Sequence, residues 1–279
     1  MTPGADEHAM YKRPPVALVV AEARFPGEAG APLPLAVQRA LVDVLGDDWV
    51  IDQVQPPIQA HFVLGPGLPQ GSSPPPGMVV RFSNRQRTTA IALTSATVTL
   101  ETTDYGHWPR FRSVLELALA STERLLRPAG ATRAGLRYID EVRVPGIEGP
   151  GWSKWLSADL LPPGYSALLQ EEVSPIAWNG AAQYAFGSDM TMVLRYGPQP
   201  AQPGFAVRPD RPLRRLGPMP TGPFFLLDFD ASWEPQTVPE WDTEDLLRVY
   251  DLLRRPVRLL FDSVVPGHLV DDVFNKEED

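Results

Sequence analysis

Apolar residues along the chain alternate between short β-branched runs and longer stretches with helical spacing. The first run, PPVALVVAEARFPG at residues 14–27, is bounded by prolines and predicts a strand. The following segment places Leu35, Leu41 and Leu45 near helical spacing and ends at Gly46, which predicts a helix. The runs QAHFVL, MVVRFSN and TTAIALTSATVTLETT are rich in Val, Ile and Thr and predict three or four antiparallel strands. WPRFRSVLELALASTERLLR then predicts a long amphipathic helix.

The second half of the chain follows the same order of patterns. The run AGLRYIDEVRVPG predicts a strand, and WSKWLSADLL predicts a short helix. Four further runs have strand-like composition, namely SALLQEEVSP, AAQYAFG, DMTMVLRYG and GPFFLLDFDASW. The segment TEDLLRVYDLLRRPVRLLFDSVV predicts an amphipathic helix with a kink at Pro256. Both halves therefore read as strand, helix, strands, helix.

A short motif supports a relation between the halves, because Glu-x-Arg-x-Pro-Gly occurs at 22–27 and again at 141–146. We expect an α+β fold of two fused β-α-β(3–4)-α pseudo-repeats, with antiparallel sheets and helices packed on one face. The predicted divisions are a disordered N-terminal tail at 1–13, a first unit at 14–130, a second unit at 131–265 with a Pro/Arg loop at 198–222, and a C-terminal tail at 266–279.

Four stretches resemble landmarks of a known family: PPVALVVAEARF, YGHWPRF, RAGLRYIDEV and FFLLDFD. The family is a sporadically distributed group of bacterial conserved hypothetical proteins, whose members open with a Pro-Pro strand and carry a Gly-Leu-Arg-Tyr-Ile-Asn strand after the long helix. Asp140 stands where that family usually has Asn. The resemblance covers most of the chain. It implies a fold and no reaction, since the family has no established activity and therefore no catalytic residues to carry over.

Composition narrows the classes of function. The 279 residues carry a net charge of −9 with a pI near 5.0, which disfavours nucleic acid as a partner of the whole chain. Cysteine is absent, which excludes disulfides, thiolate catalysis and zinc–thiolate sites. The first residues contain no apolar signal segment, and no run of about 18 apolar residues predicts a membrane span. We therefore expect a cytoplasmic protein.

The sequence contains no recognisable catalytic or metal-binding motif. The four histidines are scattered without ligand spacing, and neither a Gly-x-Ser-x-Gly elbow nor a phosphate-binding loop is present. The best carboxylate pair is Asp228 and Asp230, which alternation places on one face of a strand. Glu171 and Glu172 form a second pair, more typical of a solvated surface. We expect no catalytic residues, no metal and no cofactor.

Two charged features stand out instead. Glu22 and Arg24 share a face of the first strand as Glu141 and Arg143 do in the later strand, so the four charges either line a groove or cross-pair as an ion network. A cluster of arginines also occupies the Pro/Arg loop of an otherwise acidic chain. The candidate ligand-binding residues are Arg24, Arg137, Tyr138, Arg143, Arg208, Arg211, Arg214 and Arg215, and the candidate members of a structural ion network are Glu22 and Glu141.

These observations favour a non-catalytic accessory module that binds a peptide or partner protein from its own operon. An acidic, extended peptide would add as a strand at a sheet edge or enter the groove between the units, with the loop at 208–215 as a charged clamp. Such a module could present a precursor peptide to modifying enzymes, as in natural product biosynthesis, or act in a defence or toxin–antitoxin operon. The alternatives are an enzyme of unrecognised type using Asp228, Asp230, Glu171 and Glu172, and, third, a nucleic-acid-binding protein.

Overall fold

The computed structural model describes residues 11–27, 31, 33–55, 79–147, 151–171, 173, 175, 177–200, 213–216 and 221–275. The strands are β1 (Val16–Arg24), β2 (Trp49–Gln55), β3 (Val79–Asn84), β4 (Thr89–Leu93), β5 (Thr97–Thr102), β6 (Arg133–Val142), β7 (Gly180–Phe186), β8 (Met190–Gln199) and β9 (Phe224–Trp233). The helices are α1 (Leu35–Leu45), α2 (Trp108–Leu126), α3 (Tyr165–Gln170), α4 (Thr243–Val264) and the single turn α5 (Gly267–Leu269).

All the described strands join one antiparallel sheet in the order β2-β3-β4-β5-β1-β6-β9-β8-β7. The first strand of each half therefore lies at the centre, and β2 and β7 form the two edges. Helices α1, α2 and α4 pack on one face of this sheet. The predicted α+β class, with an antiparallel sheet and helices on one face, is confirmed.

The main core lies between the sheet and these helices, because each central strand turns alternate apolar side chains toward them. Val19 and Ala21 of β1, Leu136 of β6 and Phe229 of β9 are all fully buried there. The helix α2 begins after His107, whose ring accepts a hydrogen bond from the Arg110 amide, and Pro109 occupies its first turn. Helix α4 runs as one element through Pro256.

The opposite face of the sheet is mostly polar, with one apolar patch near its middle. In this patch Leu213, a residue of the Pro/Arg loop, packs with residues of four strands, namely Ala17, Leu18, Ala90, Ile139, Phe224 and Leu226. Charged side chains surround the patch. We refer to this side of the sheet as the open face.

The register of the central strands bears on the repeated motif. Val19 pairs directly with Tyr138, and these residues are separated by the same 119 positions that separate Arg24 from Arg143. A twofold axis through the Val19–Tyr138 pair would relate β1 to β6 and bring the two motif copies into equivalent places. The strand order is consistent with this axis, since it reads β1-β5-β4-β3-β2 in one direction and β6-β9-β8-β7 in the other. Superposition of the two units stays a prediction.

Several local predictions differ from the structure. The run SALLQEEVSP contains helix α3 at Tyr165–Gln170 where a strand was expected, since a short apolar run has no decisive period. The predicted helix at WSKWLSADLL is two 3₁₀ turns, Gly151–Lys154 and Ala158–Leu160, because the Ser157 hydroxyl caps a new turn at Asp159. Strand β2 was not predicted. The predicted strand QAHFVL lies outside the described residues.

The predicted tails also differ where they are described. Leu269 and Phe274, expected in a C-terminal tail, are buried in the main core. Residues 11–13 of the expected N-terminal tail reach the same place, because the Arg13 amide donates a 2.8 Å hydrogen bond to the Phe274 carbonyl. The two ends of the described chain thus meet at one end of the sheet.

Candidate functional site

A cavity of about 490 Å³ opens at the end of the sheet where β1 begins and β6 ends. The start of β9, the loop residue Arg215 and the turn at Val273 and Phe274 complete its wall. Its size lies within the range of small-ligand sites, about 300–1,000 Å³. We call it the cationic pocket, for the charged residues that line it: Arg13, Glu141, Arg143 and Arg215.

Glu141 is the centre of the charged lining. Its side chain has no exposed surface, and its Oε2 accepts hydrogen bonds from Arg143 Nη2 at 3.1 Å and Arg215 Nη1 at 2.9 Å. Arg143 also donates from Nη1 to the Gly222 carbonyl at 2.6 Å, and its guanidinium stacks 4.5 Å above the ring of Phe224. The arginines are therefore held in place before any ligand arrives, which lowers the entropic cost of binding.

Two polar atoms of this cluster have no hydrogen-bond partner among the described residues. They are Oε1 of Glu141, an acceptor, and Nε of Arg143, a donor, and both are buried. An unpaired buried polar atom costs about 1–3 kcal/mol, so most native structures pair such atoms. Both residues line the pocket. The cluster therefore contains one unpaired acceptor and one unpaired donor, neither of which has appreciable accessible surface.

The remaining walls are formed by prolines, by apolar side chains and by Gly146, Thr221 and Gly222. Prolines contribute backbone that has no N–H donor, at Pro14, Pro15, Pro145 and Pro223. An apolar side is formed by Val144, Ile147, Val273 and Phe274. An anion in the pocket would therefore meet the guanidinium groups and the polar groups of Gly146, Thr221 and Gly222.

Backbone hydrogen bonds fix the segments that carry these residues. The Glu141 amide donates to the Pro15 carbonyl at 2.8 Å, which joins β6 to the segment preceding β1. The Arg214 amide donates to the Arg87 carbonyl at 2.6 Å, which anchors the loop at the β3–β4 turn and leaves Arg215 over Glu141. Arg13 is held through the Phe274 carbonyl described above. Three segments distant in sequence thus supply the three arginines.

Asp140 lies beside Glu141 but points toward the helices. It is buried next to Leu227, and Tyr138 on the same face shares a 3.2 Å hydroxyl contact with Tyr105. Burial, and to a smaller extent the charge of Asp228, raises the pKa of the Asp140 carboxyl to about 8. The position is not part of the pocket lining.

A second charged cluster occupies the other end of the central strands on the open face. Glu22 Oε1 accepts from Arg24 Nε at 2.7 Å and from Arg133 Nη1 at 2.9 Å, and Arg133 Nε donates to Glu234 at 3.0 Å. We call it the Glu22 cluster. Glu22 pairs opposite Gly135, so about 20 Å of strand separates it from Glu141. The predicted cross-pairing of the two motif copies is therefore absent, and each glutamate binds arginines at its own end.

Between these ends lies a third set of ion pairs. Arg137 makes a bidentate pair with Asp228, Nε to Oδ1 and Nη2 to Oδ2, both at 2.7 Å. Burial lowers the pKa of Arg137, but the hydrogen bonds and charge of Asp228 outweigh it, and the pKa is raised. Arg195 lies 3.6 Å from both Asp228 and Asp230. The two aspartates share a face as predicted, and arginines neutralise both.

Of the predicted binding residues that the structure describes, only Arg143 and Arg215 come together. Arg24 belongs to the Glu22 cluster, Arg137 binds Asp228, and Tyr138 lies on the helix side of the sheet. Arg214 contributes its backbone, which anchors the loop. Arg208 and Arg211 lie outside the described residues, and so does Glu172.

Sequence reasoning missed Arg13 and assigned Glu141 only a structural role. Arg13 was placed in a tail, and the sequence carries no signal that its segment returns to the C-terminal turn. The Glu-x-Arg spacing predicts that Glu141 and Arg143 lie on the same face of the strand. The hydrogen bond between their side chains confirms this prediction.

The predicted strand addition beside FFLLDFD does not fit the sheet. Strand β9, which contains this run, pairs with both β6 and β8 and leaves no free edge. The described loop residues Arg214 and Arg215 lie near β3–β4 and the end of β6, whereas β7 is three strands from β6. A clamp built from them would not reach a strand added at β7, whereas the other edge strand, β2, lies next to β3.

No family model and no curated protein matches the chain. Among the described residues, no group of three or more His, Asp or Glu side chains could hold a metal ion. None of the helices in this part of the chain is long and apolar enough to cross a membrane.

Proposed function

We propose that the protein is a non-catalytic accessory module that binds an acidic peptide, or an acidic segment of a partner protein, in the cationic pocket. The observation that carries the proposal is the lining of this pocket, in which Arg143 and Arg215 bind one buried carboxylate, Glu141, and Arg13 adds a third guanidinium group. The chain as a whole carries a net charge of −9, so this excess of positive charge is local. A local cationic site on an acidic protein selects anionic partners and accelerates their encounter.

The chemistry of arginine supports a carboxylate-bearing ligand. Guanidinium groups present paired donors that match a carboxylate, and such charge-assisted hydrogen bonds are about twice as strong as neutral ones. Arg143 is stacked on Phe224 and bound to Gly222, so its orientation is set by the protein.

The enzyme alternative has less support from the described contacts. Asp228 and Asp230, its main candidates, are paired with Arg137 and Arg195, so the oxygens that would take part in catalysis are already engaged in ion pairs. The nucleic-acid alternative would use the open face. Among the residues described on that face, positive and negative side chains alternate and pair with one another, so they form no basic stripe.

Fluorescence anisotropy with a labelled hexapeptide, Gly-Ser-Glu-Glu-Glu-Leu with a free carboxyl end, tests the proposal. We expect the double variant Arg13→Gln/Arg215→Gln to weaken binding more than tenfold, because each lost charge-assisted hydrogen bond contributes about 1.5–3 kcal/mol. The matched control is Arg24→Gln/Arg133→Gln, which removes two arginines from the Glu22 cluster. It should change the dissociation constant less than twofold.

Since Arg215 also supports buried Glu141, each variant's thermal unfolding is measured alongside, and Arg13→Gln alone provides a milder version with an expected loss of three- to tenfold. Equal weakening by both double variants would mean that only net charge matters. Absence of wild-type binding at high micromolar peptide would remove the proposed function.

A further inference from the structure

We infer that the edge strand β7 pairs with the β7 strand of a second copy of this chain, so that the two sheets join into one. This inference stands apart from the proposed function, because the cationic pocket lies at the end of β6, three strands away from β7. Three properties of the strand point to it: an open outer edge, the lack of features that protect an edge, and a fit to its own copy.

The outer edge of β7 is open. Within the described residues β7 pairs with β8 alone, in a register that runs unbroken over all seven of its residues. Four of the seven side chains are exposed, including Tyr184 with 40% of its surface accessible. Every second residue of an edge strand turns its N–H and C=O groups outward. At β7 these groups have no partner strand in the described part of the chain and are available to one.

The opposite edge strand, β2, carries two features that oppose strand pairing. Its register against β3 shifts between Ile51 and Gln53, and the strand contains the acidic residue Asp52. Bulges, charged side chains and prolines are the means by which proteins protect an exposed edge. Strand β7, with the sequence GAAQYAF, has no charge, no proline and no register shift. Of these two edges, β7 is therefore the one suited to pairing.

A second copy of β7 fits this edge best in one register. An antiparallel pair of identical strands has a twofold axis, and directly opposite residues lie on the same face of the sheet. The axis therefore passes through a pair of identical residues. An axis at Gln183 pairs all seven residues of one copy with all seven of the other, and an axis at any other residue pairs fewer.

In this register large side chains lie opposite small ones on the helix side of the sheet. Tyr184 and Phe186 belong to this side, because they pair with Met192 and Met190, which pack in the main core. In the joined sheet Tyr184 lies opposite Ala182 of the second copy, and Phe186 lies opposite its glycine at position 180. The aromatic rings therefore cover one another's small neighbours, and the exposed surface of Tyr184 is reduced.

The open face has a matching arrangement. Ala181 lies opposite Ala185 of the second copy, and the two Gln183 side chains face each other at the axis. An amide side chain both donates and accepts, so this central pair forms a hydrogen bond between identical residues. No like charges meet along the strand, because β7 is uncharged.

The contact closes after two copies, because it uses the β7 edge of each. The edges that remain are the two β2 strands, which carry the register shift and the acidic residue, so the assembly is a dimer and not a fibre. One strand pair is a small interface. We expect a reversible dimer with a dissociation constant of about 10–100 µM.

Single cysteine variants test the register directly, since the chain has no cysteine of its own. In Gln183→Cys the two sulfurs lie opposite each other with Cα atoms about 5 Å apart, within the range that a disulfide spans. The matched control is Ala181→Cys, which is exposed on the same face but lies about 13 Å from its copy along the strand. In a glutathione redox buffer we expect at least about tenfold more covalent dimer from Gln183→Cys. Equal amounts from both variants overturn the inference.

Charge substitutions at the axis supply a second readout, with sedimentation equilibrium resolving the 30.7 kDa chain from a species of twice that mass. Facing lysines repel, so Gln183→Lys should weaken dimerisation about fivefold, and mixing it with Gln183→Glu should restore it. Ile51→Lys at the exposed β2 edge is the control and should change the dissociation constant less than about twofold.

Three results of this measurement overturn the inference. The wild type is monomeric at a few hundred micromolar, which leaves the β7 edge to a different chain or to none. It assembles beyond the dimer, which means that the contact does not close. Or the mixture of the lysine and glutamate variants associates no better than Gln183→Lys alone, which means that the copies do not meet at this residue.

Discussion

The two ends of the central strand pair carry the same Glu-x-Arg arrangement but have become different kinds of site. At one end Glu22 is a quarter exposed, with 26% of its side-chain surface accessible, and two glutamates balance two arginines. At the other end Glu141 has 0% of its side chain exposed and binds Arg143 and Arg215, and Arg13 is a third arginine lining the same cavity. One motif thus gives a surface ion network in one place and a pocket in the other.

The cause of the difference lies outside the motif. Arg133, the second arginine of the Glu22 cluster, comes from the neighbouring strand and leaves the cluster open to water. Arg215 and Arg13 come from a loop and from the segment before β1, and these segments cover Glu141. Ion pairs in water contribute little, while buried ones are strongly coupled, so covering one end changes the energetics of the same residues.

The largest expected contrast comes from removing each glutamate. We expect Glu141→Ala to lower the free energy of unfolding by about 3 kcal/mol, because two partly buried arginines lose their counter-charge. Glu22→Ala should cost less than about 1 kcal/mol, because water solvates the arginines it leaves. Urea unfolding of the two variants and the wild type measures both values. Costs that agree within about 0.5 kcal/mol would show that the two ends are energetically alike.

A second contrast concerns the position before each glutamate. Ala21 in β1 and Asp140 in β6 both face the helices, but only Asp140 is titratable. Its pKa is raised to about 8, whereas the unfolded chain loses the proton near 3.8. The folded state therefore binds more protons between these values, and stability falls as pH rises through this window. The slope from this group is about 1.4 kcal/mol per pH unit.

Asp140→Asn should remove this slope and stabilise the protein at pH 8 by roughly 2 kcal/mol. The variant avoids the free-energy cost of ionising the buried Asp140 carboxyl, but it bears the cost of burying an unpaired amide. The groups whose charges act near this site, Asp228, Tyr11 and Tyr138, are unchanged in the variant. Urea unfolding at pH 5, 6, 7 and 8 gives the comparison. Parallel curves for wild type and variant would mean that Asp140 titrates normally in the fold.

The smallest expected effect belongs to the rim of the Glu22 cluster. Glu234 accepts a 3.0 Å hydrogen bond from Arg133, but 66% of its side chain is exposed. We expect Glu234→Gln to change the free energy of unfolding by less than about 0.5 kcal/mol, and raising the salt concentration to reduce even that difference. A cost above about 1 kcal/mol would identify the cluster as a coupled network instead of separate surface pairs.

The fold was largely predictable because its strands and long helices have clear periods. The alternation in β6 and β9 assigned the faces of Arg137, Glu141 and Asp228 correctly, and the helical spacing located α2 and α4. Short elements were not predictable: α3 was expected as a strand, since six residues carry too little periodicity to separate the two.

The sequence alone determined which residues share a face of a strand, since side chains alternate with a period of two whatever the surrounding fold. It therefore paired Glu141 with Arg143 and Glu22 with Arg24. Only the tertiary structure decided which of these pairs became a pocket. Arg13 and Arg215 lie 128 and 74 residues from Glu141, and their approach depends on loops and chain ends whose paths have no local sequence signal. The way these segments pack together sets how deeply Glu141 is buried, and burial in turn sets how strongly the charges at the site interact.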